Sequence, residues 1–168
     1  MVIERYRELF EYEIDCNEKM LQMIATVPTE NHSDARYQQA VSIADHIVAC
    51  RENWLDRMIN NGGDQGPWYD ENSDVSSLSA RMDATHCAWK SYLDGLSDGG
   101  LPVDFEFAMR DGSRALWNIE GQIKQMMGHS NYHRGQVTLL VDQLGGTVQD
   151  TDYLIFVYER RDHYGKIS

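Results

Sequence analysis

Four long stretches of this chain carry apolar residues at three- and four-residue spacing, the signature of helices that each bury one face. The first runs roughly from Ile3 to Thr26 through Ile3, Tyr6, Phe10, Ile14, Leu21 and Ile24. The second, roughly Ser33 to Asn60, places Tyr37, Val41, Ala44, Ile47, Val48, Leu55 and Met58 on one side. The third, roughly Asp74 to Leu96, carries Val75, Leu78, Met82, Trp89, Leu93 and Leu96. The fourth carries Ile119, Ile123, Met126, Met127, Val137, Leu140 and Leu144, with Asn118 as its cap and Gly145-Gly146 as its stop. At 168 residues the chain has room for one domain with a substantial core and is short for two. Four apolar faces in one domain are buried most simply against one another, which predicts an all-α four-helix bundle spanning residues 1–168.

The interruptions are equally legible. Val27-Pro28 breaks the first pattern, and Thr29 to Ser33 makes a polar connection. Asn61 to Asp74, rich in glycine at its start and polar apart from Trp68 and Tyr69, is long enough to be a lid or a surface excursion. Between Leu101 and Trp117 the period changes to two, with Val103, Phe105, Phe107 and Met109 on one face and Asp104, Glu106 and Ala108 on the other. With Arg110-Asp111-Gly112-Ser113 as the turn, this predicts a short β-hairpin lying across the end of the bundle. Asp150-Thr151-Asp152 caps a last short helix to about Arg160, whose Tyr153, Phe156 and Val157 cover bundle surface before a frayed end.

Within the fourth segment stand His129 and His133, four residues apart. That spacing stacks two imidazoles on one helical face, where they can converge on a metal ion, although such a pair also occurs without one. His46 falls on the flank of the second stripe, facing either a lumen between helices or a half-buried polar setting. Cys50, one turn later, could approach the same point as a thiolate but reads as a small buried hydrophobe. His86 and Cys87 are adjacent, diverge by about 100° around a helix, and do not share a site. Asn17 interrupts the first apolar stripe and must be hydrogen-bonded, by pinning a neighbouring backbone in preference to facing an interior polar site.

The formal charge of −12, from 15 basic and 27 acidic residues with no basic cluster, disfavours nucleic acid and anionic lipid as partners. Three sparse cysteines behind a charged opening segment predict a reduced, cytoplasmic protein. No stretch approaches the roughly 20 apolar residues of a membrane helix.

Beyond these patterns, the chain resembles the DinB-like family. The resemblance rests on Leu9-Phe10-Glu11-Tyr12 through Cys16-Asn17 and Leu21, on Ala44-Asp45-His46-Ile47 with Trp54-Leu55, and on His129-x-x-x-His133-Arg134-Gly135-Gln136 with Gly145 and Thr151-Asp152-Tyr153 beyond. It covers nearly the whole chain in order. It implies an up-down-down-up bundle in which His46, His129 and His133 bind a divalent metal, zinc or nickel foremost and iron as a further option. Three imidazoles leave a coordination position open, as catalytic sites do. The resemblance further implies a small-molecule substrate, a low-molecular-weight thiol as co-substrate in transferase or isomerase chemistry, or hydrolysis, and a homodimer. A non-catalytic metal-binding stress-response module is the alternative. Around the motif, Arg134 is expected in a salt bridge or on a partner surface, and Gly135 at a close approach of another segment. Asp45 and Glu52 are candidates to orient an imidazole, or solvated charges, and Tyr132 is expected in the core. No general base is identifiable.

Overall fold

A computed structural model of the protein describes residues 1–60, 66–69, 74–109 and 111–160. Five α-helices and one β-hairpin follow in the order α1 (Val2–Ala25), α2 (Ala35–Ile59), α3 (Val75–Gly95), β1 (Asp104–Ala108), β2 (Arg114–Asn118), α4 (Ile119–Gln143) and α5 (Tyr153–Arg160). The helix starts are set by side chains that occupy otherwise unpartnered amides. Asp34 accepts from the Arg36 amide to open α2, Asp74 and Ser77 form a capping box on α3, and Asn118 accepts from Gly121 to open α4. Gly145 ends α4 at φ +77°, a conformation that residues with a Cβ rarely adopt.

The four long helices bury their faces in two apolar clusters at opposite ends of the bundle. One joins Met20 to Val27 of the α1 end with Tyr37 to Val48 near the α2 start, Leu78 and Met82 of α3, and Val137 to Leu144 of the α4 end. The other joins Ile3 to Phe10, Leu55 and Met58, Trp89 and Leu93, the hairpin's Phe105 and Phe107, and Ile119 to Met126. The pairing of ends means that α1 and α4 run one way and α2 and α3 the other, the expected up-down-down-up order. Each large side chain so buried contributes roughly 1.5–3 kcal/mol.

Between the two clusters lies a belt of buried polar residues at one level of the bundle: Glu13 and Asn17 on α1, His46 and Arg51 on α2, Thr85 and His86 on α3, and Ser130 and Arg134 on α4. Interrupted stripes in the sequence mark this level, and it holds the polar chemistry of the interior.

The hairpin pairs antiparallel with Asp104 opposite Asn118 and Ala108 opposite Arg114. Its turn holds Gly112 at φ +82°, with the Asp111 carboxylate accepting from the Ser113 amide; Arg110, expected in this turn, lies outside the described residues. Only Phe105 and Phe107 of the expected apolar face are buried. Val103 precedes the strand and Met109 follows it, and both are about half exposed, at 51% and 47%. The α5 helix opens with the Asp152 carboxylate accepting from the Leu154 amide, and it lays Phe156 and Tyr153 edge-on against Tyr12. The frayed end expected beyond it falls outside the described residues. Among the described residues, no helix is long and apolar enough to cross a membrane, and Cys16, Cys50 and Cys87 are free thiols.

Candidate metal centre

Helix α2 presents His46 and helix α4 presents His129 and His133 to the same point. One nitrogen from each ring lies within 4.8 Å of the other two. The ring centroids are 5.1 Å apart for His46–His129, 5.1 Å for His46–His133 and 4.5 Å for His129–His133. The H-x-x-x-H spacing thus stacks two imidazoles along α4, and the close α2–α4 packing brings in the third.

Hydrogen bonds decide which nitrogen each ring offers. His46 Nδ1 lies 2.9 Å from the carbonyl oxygen of Trp68, which can only accept, so Nδ1 carries the proton and Nε2 the lone pair. His133 Nδ1 donates in the same way to Gln136 Oε1 at 2.7 Å. The proton is thereby held away from the centre on both rings, the arrangement that orients metal-binding histidines. Burial lowers the pKa of His129 to about 4, helped by the neighbouring His133, His46 and Arg51, so this ring is neutral throughout the physiological range. With the Nδ1 protons of His46 and His133 turned outward and the His129 ring neutral, the three rings offer nitrogen ligands of the kind that suits a divalent cation.

The surroundings were only partly foreseen. Part of the connection after α2 covers one side of the triad: Tyr69 stacks on His46 at 4.4 Å, Trp68 supplies the carbonyl, and Asn53 donates to the carbonyls of Gly66 and Pro67. The remainder of the expected lid or excursion, residues 61–65 and 70–73, lies outside the described residues. Beside the histidines opens a cavity of about 370 Å³, bounded by His46, His129, Trp54, Trp68, Phe107 and Trp117 among others. The hairpin therefore supplies a wall of this cavity as well as closing the bundle. A smaller void of about 20 Å³ adjoins His129, Arg51 and the fully buried Gln122, room enough for one water.

Cys50 lines both spaces with Sγ 3.5 Å from His46 Nε2, yet it stands outside the set that converges within 4.8 Å. Asp45 and Glu52 do not take the role of orienting an imidazole that their positions made available. Both carboxylates instead grip Arg81 of α3, each at 2.6 Å, and Asp45 is fully buried in doing so, which also removes the solvated reading for it. Tyr132 is 66% exposed, not core, because its position on α4 looks outward while the adjacent His133 looks in. Gly135 admits no close neighbour: a Cβ built there meets open space. The orienting groups Gln136 and Trp68 were missed. Gln136 had a signal, the i, i+3 spacing from His133; a backbone carbonyl has none.

On the other side of α4, Arg134 is 3% exposed and donates to both carboxylate oxygens of Glu13 and to Asn17. Arg51 reaches the same Glu13 carboxylate and donates to Ser130 at 2.9 Å. Burial opposes ionisation of Glu13, but the two guanidinium groups outweigh it and hold the carboxyl below its usual range. The expected salt bridge of Arg134 is therefore present. Asn17 departs from its expected role, since it faces this interior network and donates to His86 Nε2 at 3.3 Å in place of pinning backbone. His86 does stand apart from Cys87, buried at 5% exposure while Cys87 is exposed. Its ligand nitrogen approaches the exposed Glu18 and Asp83, an acidic pairing of a kind common without any ion.

No curated protein and no solved structure matches this chain. The model of the DinB family matches residues 1–162, nearly all of the 168, and the chain belongs to that family.

Proposed function

We propose that His46, His129 and His133 hold one divalent cation and that the protein is a metal-dependent enzyme acting on a small molecule in the adjoining cavity. The observation that carries the reading is the convergence of three ring nitrogens within 4.8 Å, with the Nδ1 protons of His46 and His133 turned away to Trp68 and Gln136. Three imidazoles suit zinc or nickel, with iron a further option, and three protein ligands leave a position for a substrate. A cation there supplies Lewis acidity, polarising a carbonyl or favouring the ionised form of a thiol or water. The chain's own residues do the rest. Trp68 and Gln136 hold two imidazoles in register, His129 presents a ring that needs no proton loss at neutral pH, and the aromatic walls limit water at the open side. A low-molecular-weight thiol is the co-substrate that family membership favours, in transferase or isomerase chemistry, with hydrolysis as the other option. The cavity favours catalysis over a non-catalytic metal-binding module, because a storage or structural site needs no space beside its ligands.

The test begins with metal analysis of untagged protein purified without added metal, where about one equivalent is expected. Calorimetric titration with zinc and nickel then compares the wild type with His46→Ala, His129→Ala and His133→Ala. Each variant is expected to lose more than about a hundredfold in affinity, beyond what loss of an orienting group costs, while circular dichroism shows the helices intact. Wild-type protein that binds neither metal, or three variants that bind like the wild type, sinks the site. Ionisation of a small thiol by the metal-loaded protein, read as an ultraviolet thiolate band at neutral pH, separates the enzyme from the non-catalytic module.

A further inference from the structure

We infer that Arg57 is an anion subsite in the cavity beside the histidines, and that the substrate taken there carries a carboxylate on a flat apolar body. This rests on the proposed metal-dependent function for its setting but on separate residues for its argument.

Every other buried guanidinium of the described residues is matched by a carboxylate. Arg51 and Arg134 share Glu13. Arg57 is 4% exposed, and among the described residues it pairs with no carboxylate. Its Nη2 donates to the Ala108 carbonyl at a long 3.3 Å, and its Nε has no hydrogen-bond partner. A buried charge left in that condition opposes folding unless something outside the described residues compensates it. Arginine stays ionised in such a place, so neutralisation by proton loss is not the answer.

The groups around Arg57 hold it without discharging it. Its Cζ lies 4.4 Å from the centroid of Trp54, 5.0 Å from Trp68 and 5.1 Å from Phe107. Aromatic faces attract the guanidinium plane and restrict its rotation, yet they accept no in-plane hydrogen bond. Apart from the long Nη2 contact to Ala108, the planar N–H edge stays unused, and its geometry suits the two oxygens of a carboxylate. Arg57 bounds the same cavity of about 370 Å³ as His46 and His129. A ligand there can place its reacting end at the histidines and its charged end at Arg57. The walls between the two, Trp54, Trp68, Phe107 and Trp117, suit a flat apolar body.

The probes are 3-phenylpropionate and its uncharged counterpart 3-phenylpropionamide, titrated into metal-free and zinc-loaded protein. Binding is followed by the indole N–H resonances of Trp54, Trp68 and Trp117. The carboxylate is expected to bind at least about tenfold more tightly than the amide in both forms, the scale of one charge-assisted hydrogen bond. Arg57→Met keeps the bulk, removes the charge and is expected to erase the preference while zinc affinity stays unchanged; Arg57→Lys retains part of it. Should the methionine variant fail to fold, the Arg57 Nε–H resonance of the wild type serves instead, shifting with the carboxylate and not with the amide. A preference absent from the wild type into the millimolar range, or one that survives Arg57→Met, overturns the subsite. A preference seen only with zinc also overturns it, because the carboxylate then sits on the metal. Failure of zinc binding alone leaves the carboxylate preference of the metal-free protein measurable, so the two readings fail separately.

Discussion

Two polar clusters share one level of this bundle, and they differ in whether ion pairs among the described residues close them. The Glu13 network is closed by ion pairs: one carboxylate takes donors from Arg51 and Arg134, Asn17 joins Arg134 to His86, and Ser130 takes another donor from Arg51, whose Nε and Nη1 have no hydrogen-bond partner among the described residues. The histidine cluster is open, because three rings bring ligand nitrogens within 4.8 Å of one another with the Nδ1 protons of His46 and His133 turned outward, and the near group beside them is the Cys50 thiol, 3.5 Å from His46 Nε2. Adjacent residues on α4 feed one each, His133 the open cluster and Arg134 the closed one, since neighbours on a helix diverge by about 100°. A single motif in sequence is therefore two devices in space. The closed one fixes the spacing of α1, α2 and α4 on which the open one depends.

The sharpest way to break the comparison is to open the closed cluster. Glu13→Gln keeps the shape but leaves Arg51 and Arg134 as buried charges without a counter-ion, and a loss of about 3–5 kcal/mol in urea unfolding is expected. Replacing Arg134 with Met in that background is expected to recover part of the loss, since one stranded charge is gone. A Glu13→Gln protein as stable as the wild type would mean that the network contributes shape alone.

A pH scan sharpens the contrast further. Burial, with the charge of Arg51 behind it, lowers the pKa of His86 from 6.5 to about 4. Between those values the unfolded chain binds the proton and the folded chain does not, so unfolding gains from acid. The stability is present in full above about pH 6.5 and is lost as pH falls toward 4, by about 3 kcal/mol from this residue. In metal-free protein the lowered pKa of His129 acts in the same window and direction. His86→Gln is expected to flatten the profile between those limits. An unchanged slope would show that His86 titrates normally in the folded state.

The sequence carried the helices, the hairpin and the His129–His133 pair because each rests on a period or a spacing, which is local information, whereas His46 joined that pair only through the family resemblance. Asn118 as the α4 cap and Gly145 as its stop were legible for the same reason. What escaped was decided across elements. Asn17 gave no sign that Arg134, 117 residues away, would be its partner. Asp45 and Glu52 were read as imidazole-orienting groups or solvated charges, and their ion pairs went unforeseen because the partner, Arg81, lies on a helix whose facing angle no stripe fixes. The Trp68 carbonyl and the ring of Tyr69 come from an aperiodic connection, where pattern reading has no purchase.

Gln136 tests the open cluster at its edge. Its Oε1 holds the His133 Nδ1 proton at 2.7 Å, so Gln136→Leu frees that ring to rotate and to take the other tautomer. A tenfold to hundredfold loss of zinc affinity is expected, roughly what removing an orienting group costs, with stoichiometry preserved. Zinc titration checks it, and Gln136→Glu is expected to restore the affinity because a carboxylate accepts the same proton. Equal affinity in the leucine variant would mean that packing, not this hydrogen bond, sets the His133 ring.

The smallest expected effect belongs to Cys50. Its sulfur is 3.5 Å from His46 Nε2 and so close enough to be drawn to a cation, yet it lies outside the converging set and is buried at 7% exposure. Cys50→Ser exchanges one small side chain for another, and it is expected to keep one equivalent of zinc and to change stability by less than about 1 kcal/mol. Zinc stoichiometry and a thermal melt measured together decide it. Should the serine variant lose the metal, Cys50 is a fourth ligand and the centre is a Cys-His₃ tetrahedron closed by the protein, the form of a structural site. The position left for a substrate would vanish, and with it the catalytic reading, although the bundle and its histidines would stand as described.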